Sequence, residues 1–206
     1  MVLGIDSFRE KFKDYTEYYT IIGGTACDIL LTEADLPFRA TKDIDMISHG
    51  PEFIAEFARI LQGYGVPIVT PAGGLGLHLN AREFVGHIPG EKYQAASLCA
   101  AIYIVSGARG MERGTLSEEK NPDGSEHIAS CELVRLALPR RVFTLSQVRF
   151  IADRIAWLYE NRNLIGGLKF VEEPEVMRFF IGRLEADGDW QEKLVAKFKE
   201  DFGESL

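Results

Sequence analysis

The segment from Ile21 to Ile47, IIGGTACDILLTEADLPFRATKDIDMI, constrains the fold more than any other part of the chain. An apolar run ends on Gly23 and Gly24 and helix-forming residues follow. A loop then leads into a second apolar run that carries Asp43 and Asp45. The order is strand, glycine turn, helix, loop, strand, which points to an α/β protein. Side chains alternate along a strand, so Asp43 and Asp45 share one face while Ile44 and Met46 take the other. Two carboxylates on one face repel each other unless a cation lies between them. A divalent ion with oxygen ligands, Mg²⁺ first, is the simplest such cation. The backbone N–H groups at the helix start after Gly23 and Gly24 attract phosphate. A phosphate cradle followed by an acidic metal pair points to nucleotide chemistry.

Composition sets the outer bounds. A chain of 206 residues can be one large domain or a core with a small helical cap. With 46% hydrophobic and 26% charged residues, it can bury a sizeable core. The net charge of −8 argues against a surface coated for nonspecific nucleic-acid binding. One segment runs the other way: Arg135, Arg140, Arg141, Arg149, Arg154 and Arg162 are accompanied only by Asp153 and Glu160. This excess could face a polyanion, or could be a helix surface with partners one turn away. Cys27, Cys99 and Cys131 form no CxxC and sit among apolar neighbours, as free core cysteines do in a reducing cytoplasm. The N-terminus mixes charges and has no apolar h-region, and the run from Leu98 to Val105 is far short of a membrane span. The expected location is the cytoplasm, with no membrane partner.

Along the chain, Ser7 and Glu10 stand at capping-box spacing before a first helix that runs to about Tyr15. Strands are expected at Tyr18 to Ile22 and Lys42 to Ile47, with a helix from Thr25 to about Glu33 between them. Pro51 suits the first turn of a further helix. Pro67 to Val69, Leu75 to Leu79 and Phe84 to Ile88 read as short strands. Gly73, Gly74 and Gly76 read as a hairpin turn rather than a phosphate loop, since no Lys-Ser/Thr follows. Tyr93 to Val105 is ambiguous, because its alanines favour helix and AIYIV favours strand. Arg109 to Glu126 reads as a polar, glycine-rich loop and His127 to Val134 as a strand. Helices are expected at Ser146 to Asn161, Pro174 to Glu185 and Asp189 to about Phe202. The whole is a small mixed sheet with flanking helices over residues 1–144, and a helical C-terminal region over 145–206 packed on it.

The glycine pair, the helix and the Asp-Ile-Asp strand resemble the nucleotidyltransferase core of the DNA polymerase β superfamily. The version IGGTA followed by R-x-T-K-D-I-D-M is most similar to the AbiEii-type toxin-like nucleotidyltransferases of bacteria. The resemblance covers Ile21 to Ile47, with TEADLPFRA as a loop extension before Asp43. It implies Mg²⁺- or Mn²⁺-dependent transfer of a nucleoside monophosphate from an NTP to an acceptor. That acceptor would be an RNA end such as tRNA, a protein hydroxyl or a small molecule, and an antitoxin partner is a further implication. Two metals would clamp the attacking and leaving oxygens. The resemblance also implies a third carboxylate on a later strand: Glu132 in SCELV fits best and Glu83 in AREFVG is the rival. Asp43, Asp45 and Glu132 would then be metal-binding and catalytic, with Glu132 assisting deprotonation of the acceptor. Gly23, Gly24 and Thr25 would cradle the triphosphate, the other reading of Thr25 being a helix N-cap, and Arg39 and Lys42 would neutralise its charge or else be loop cations. Lys120 and Lys169 are the candidates for a further triphosphate lysine. The alternative is a nucleotidyltransferase-like binding module without catalysis. No HExxH, GxSxG or Cys-His signature is present.

Overall fold

The computed structural model describes residues 5–14, 19–21, 25–27, 29–30, 46–48, 52–139 and 143–203. The chain divides into two compact units, Met1–Glu52 and Phe53–Leu206.

In the first unit, helix α1 spans Ile5–Phe12. It starts ahead of Ser7, so Ser7 lies inside the helix and does not cap it. Phe8 and Phe12, one turn apart, stack at 4.6 Å. Strands β1 (Tyr19–Ile21) and β2 (Met46–Ser48) pair antiparallel, with Ile21 opposite Met46. Residues 25–27 and 29–30 are helical, and Thr25 is fully buried. Gly23, Gly24, Arg39, Lys42, Asp43 and Asp45 lie outside the described residues.

The second unit begins with the apolar face of α2 (Glu52–Gly63), in which Ile54, Phe57 and Leu61 are buried. Its centre is an antiparallel sheet ordered β3–β5–β4, formed by Gly76–Asn80, Leu133–Ala137 and Met111–Arg113. Helix α4 (Gln94–Ser106) packs on β4 and β5 and against α5 (Leu145–Glu160) and α7 (Trp190–Phe202). The ambiguous AASLCAAIYIV run is therefore helix. Its alanines favour that state, and Gly107 closes it in the left-handed conformation with its N–H on the Tyr103 carbonyl. A helix apolar on every side must be enclosed, and Ala95, Leu98, Ala101 and Ile102 are fully buried.

Helix α5 is started by a capping box between Thr144 and Gln147. Helix α7 turns Trp190, Leu194 and Phe198 inward at four-residue spacing. Between them, β6 (Leu168–Glu172) and β7 (Arg183–Ala186) form an antiparallel pair, with the short helix α6 (Arg178–Ile181) in the connection. The helix expected from Pro174 to Glu185 is thus broken, and its second half is a strand because Lys169 and Phe170 find Glu185 and Leu184 across the ladder.

Three further expectations change. Phe84 to Ile88 is not a strand: Asn80 caps a one-turn helix α3 (Ala81–Phe84) by accepting the Glu83 N–H. The expected strand from His127 lies further on, at Leu133–Ala137, because Ala129 N–H bonds the Thr115 hydroxyl instead of a neighbouring strand. The polar stretch from Arg109 contains β4 and a 3₁₀ turn at Thr115–Ser117. The core is mixed α/β with small antiparallel sheets, and a nucleotidyltransferase core does not describe it. The cysteines also depart from the reading: Cys27 and Cys131 are exposed and Cys99 is half-buried.

Candidate functional site

The β3–β5–β4 sheet has two unlike faces. Alternation turns Leu77, Leu79, Glu112, Val134 and Leu136 inward, and all are buried. The opposite face carries His78 on β3, Met111 and Arg113 on β4, and Arg135 on β5. Arg135 stands directly opposite His78 on one side and Met111 on the other. Arg113 faces Leu133, so it is the diagonal neighbour of Arg135, a separation of about 7–8 Å between backbones. Two guanidinium groups therefore share one open face within reach of a single small anion.

Neither arginine has an ion-pair partner among the described residues, although acids outnumber bases in the chain. Arg140 and Arg141 of the arginine-rich segment lie outside the described residues, and its other described cations are engaged. Arg149 pairs with Glu56 at 3.1 Å, Arg154 lies 3.7 Å over the Phe202 ring, and Arg162 covers Tyr159. Among the described arginines of that segment, Arg135 is the exception. Burial, then the charges of Arg135 and Arg113, push the His78 pKa below its ordinary 6.5. The imidazole is neutral at pH 7 and offers one donor and one acceptor. The face can take a planar anion on its forked donors, with the histidine beside it.

A second feature adjoins the chain just beyond Arg113. Arg178 is nearly buried and holds the Glu126 carboxylate with both terminal nitrogens, at 3.0 and 2.6 Å. It also donates to Glu173 at 2.9 Å and to the carbonyls of Thr115 and Glu118. Tyr93 adds its hydroxyl to Glu126 at 2.7 Å. This node ties the polar stretch after β4 to helix α6, so that stretch is built, not loose. Next to it lies a cleft of about 770 Å³ whose lining includes Leu116, Lys120, Val176, Arg178, Phe179 and Phe180. The aromatic pair Phe179–Phe180 meets edge to face at 4.9 Å, and Phe180 is 72% exposed.

Of the residues expected to hold metal and triphosphate, Asp43, Asp45, Gly23, Gly24, Arg39 and Lys42 lie outside the described residues, and Glu132, Glu83, Lys120 and Lys169 have other partners. Glu132 is 1% exposed. One oxygen accepts the Ala95 N–H at 3.0 Å, in the first turn of α4; the other accepts the Thr115 N–H at 2.8 Å and the Thr115 hydroxyl at 2.5 Å. Such a carboxylate ties together a helix start and a turn. Glu83 is exposed and accepts the Asn80 side-chain amide at 2.7 Å. Lys120 and Lys169 pair with Glu173 and Glu185. Among the described residues, no three His, Cys, Asp or Glu side chains converge to hold a metal ion. None of the described helices is long and apolar enough to cross a membrane.

Local sequence left Arg113 and Arg135 unassigned. Arg135 was visible only as part of a basic run, and Arg113 lay in a stretch read as loop. The available signal is the alternation in LVRLA, which sets Arg135 between inward Val134 and Leu136.

No family model matches the chain. It is similar to the tyrosine phenol-lyase of Symbiobacterium thermophilum, 42% identical over 144 residues, which is 69% of this chain and 31% of that protein. It is also similar to the tyrosine phenol-lyase of Lacrimispora saccharolytica, 40% identical over 149 residues, covering 71% of this chain and 32% of the relative. The tryptophanase of Rhodobacter capsulatus is 40% identical over 125 residues, covering 61% and 28%. The chain spans about a third of the length of the curated relatives it matches. These matches overturn the nucleotidyltransferase and toxin assignments and give the inactive-module alternative no clear support. With them go the NTP substrate, the antitoxin partner and the Mg²⁺ or Mn²⁺ cofactor for Asp43, Asp45 and Glu132. The reason is one of extent: the Ile21 to Ile47 pattern is short and local, whereas the likeness to the lyases runs through 144 residues. What the chain is similar to is a part of two amino-acid lyases.

Proposed function

We propose that the chain provides the substrate-carboxylate-binding face of a lyase acting on an aromatic amino acid. The observation that carries this reading is the pair Arg113 and Arg135, without ion-pair partners among the described residues, on an open sheet face beside a neutral His78. A free amino acid presents a planar carboxylate, which forked guanidinium donors bind in two-point fashion. The names of the relatives, tyrosine phenol-lyase and tryptophanase, support an amino acid with an aromatic side chain.

Breaking a carbon bond in an amino acid calls for an electron sink, the service that pyridoxal phosphate gives when bound through a lysine imine. The described residues do not fit that group. No described lysine is buried, and Lys92, Lys120, Lys169, Lys193 and Lys197 are engaged by Asp187, Glu173, Glu185, Asp189 and Asp201. The role assigned to this chain is therefore recognition of the substrate carboxylate, and no bond-breaking step is assigned to it. A cytoplasmic location accords with the free cysteines Cys27, Cys99 and Cys131.

The test is calorimetric titration of the chain with L-tyrosine and L-tryptophan, beside tyramine and tryptamine, which lack the carboxylate. Binding of the amino acids and not the amines is expected. Equal binding of both pairs, or of neither, would sink the proposal.

A further inference from the structure

Arg113 is the last residue of β4, and β4 is only three residues long at the edge of its sheet. Three ladder partners, all on one side, are a weak hold for a terminal side chain that must present its charge at a fixed place. The chain beyond Arg113 turns at Gly114 into the 3₁₀ turn Thr115–Ser117. Glu112, the residue before Arg113, points the opposite way, into the core, and is 5% exposed. Its Oε2 accepts the Ser117 hydroxyl at 2.6 Å, and the N–H groups of Gly114 and Leu116 face the same carboxyl. The side chain of Glu112 thus closes a loop around Arg113, from the strand to the far end of the turn. Its other oxygen, Oε1, is buried with no hydrogen-bond partner.

A buried carboxyl with one unsatisfied oxygen is a poor choice for stability alone. Burial, and then the Glu132 carboxylate, push its pKa up, against the Ser117 bond. The titratable groups that face it are Glu132, before β5, and the Cys99 thiol on α4. An apolar residue opposite Val134 would fill that side of the sheet without these penalties, but would leave the turn unclosed.

We propose that Glu112 is a positioning residue for carboxylate recognition: it locks the turn after Arg113 and so fixes the Arg113 guanidinium beside Arg135. The proposal rests on the carboxylate-binding reading given above. Glu112 touches no ligand. Its effect on recognition passes through the backbone of residues 113 to 117.

The experiment compares wild type with Glu112→Ala, Glu112→Gln and Ser117→Ala, measuring the ratio of affinities for L-tyrosine and tyramine by calorimetry. Amide hydrogen exchange at Gly114 to Ser117 is followed in the same samples. Loss of one hydrogen bond to a charged group corresponds to about a tenfold change in binding, so Glu112→Ala should lower the ratio about tenfold and speed exchange in the turn. Glu112→Gln keeps an acceptor for Ser117 and should restore most of the ratio. Ser117→Ala, which removes the same bond from the exposed side, should reproduce the Glu112→Ala effect even if that variant does not fold. A residue that serves stability alone would lower the unfolding midpoint and leave the ratio untouched. A ratio unchanged in Ser117→Ala, or in a folded Glu112→Ala, would overturn the role of Glu112 and leave the carboxylate reading standing. A wild-type chain that does not prefer the amino acid would overturn both.

Discussion

Replacing Glu132 separates a structural anion from a metal ligand. In the wild type, three donors converge on its two oxygens: Ala95 N–H, Thr115 N–H and the Thr115 hydroxyl. Glu132→Ala strands the two N–H groups in the interior. The hydroxyl still accepts from Ala129 N–H at 3.1 Å, so its own proton is the only further loss. Each stranded donor costs about 1–3 kcal/mol, and with the emptied volume the sum is roughly 3–6 kcal/mol. A domain of this size is stable by about 5–15 kcal/mol, so the variant should be marginal but measurable. Glu132→Gln keeps the shape and one acceptor but sets an amide donor against a donor, which should cost about 2–4 kcal/mol. Urea unfolding followed by circular dichroism reads these differences as shifts in midpoint at constant slope. Mg²⁺ should leave wild type and variants unmoved. A Glu132→Ala protein within about 1 kcal/mol of wild type would mean that this carboxylate does not tie the helix start to the turn. So would a Mg²⁺-dependent stabilisation that vanishes with Glu132.

Other consequences follow from the same contacts. A Cβ at Gly114 would run into the Glu132 carboxylate, which three hydrogen bonds hold in place, so Gly114→Ala should lose about 1–3 kcal/mol in thermal unfolding; a neutral result would mean that carboxylate is free to move. The His78 pKa is depressed in the folded chain, so its contribution is complete above the ordinary value of 6.5 and is lost as pH falls through the lower folded value. Binding a carboxylate between Arg113 and Arg135 cancels the charge that depresses it, and an NMR titration of the His78 ring should show the pKa rise with L-tyrosine present; no movement, or a fall, would place the ligand elsewhere. Arg178→Ala leaves Glu126 and Glu173 with Lys120 as their remaining cation among the described residues and strips Glu126 of its bidentate partner, and should cost about 1–3 kcal/mol, with exchange quickening first at Thr115 to Glu126. Uniform exchange across the chain would argue against a local clamp.

What could be read from local sequence was what local sequence determines. Helix α5 lies within a residue of its expected ends because a period of apolar residues and a threonine–glutamine box mark it. Helix α7 lies where Trp190, Leu194 and Phe198 put it, although Asp189 makes no side-chain cap bond. Elements defined by distant partners were not legible. Strand β4 is three residues whose extended form depends on Leu133 to Arg135, twenty or more positions away. Strand β7 hid inside an apparent helix because its partner Leu168–Glu172 is also remote. The Phe84 to Ile88 run is apolar enough for either state, and Asn80 decided it. The site followed the same rule. Arg113 and Arg135 look unremarkable in the sequence, and their nearness exists only once the ladder is formed. The Asp43–Asp45 pattern was the reverse case: conspicuous locally, but too short to outweigh a likeness spread over two thirds of the chain.

The pairing of Arg135 and Arg113 with a carboxylate carries the proposed function. Its most direct measurement is the calorimetric affinity of wild type, Arg135→Ala and Arg135→Lys for L-tyrosine and for tyramine. Wild type should prefer L-tyrosine, Arg135→Ala should lose the preference, and Arg135→Lys should recover only part of it, because an ammonium replaces the charge without the planar fork. Undiminished preference in a folded Arg135→Ala would contradict that pairing.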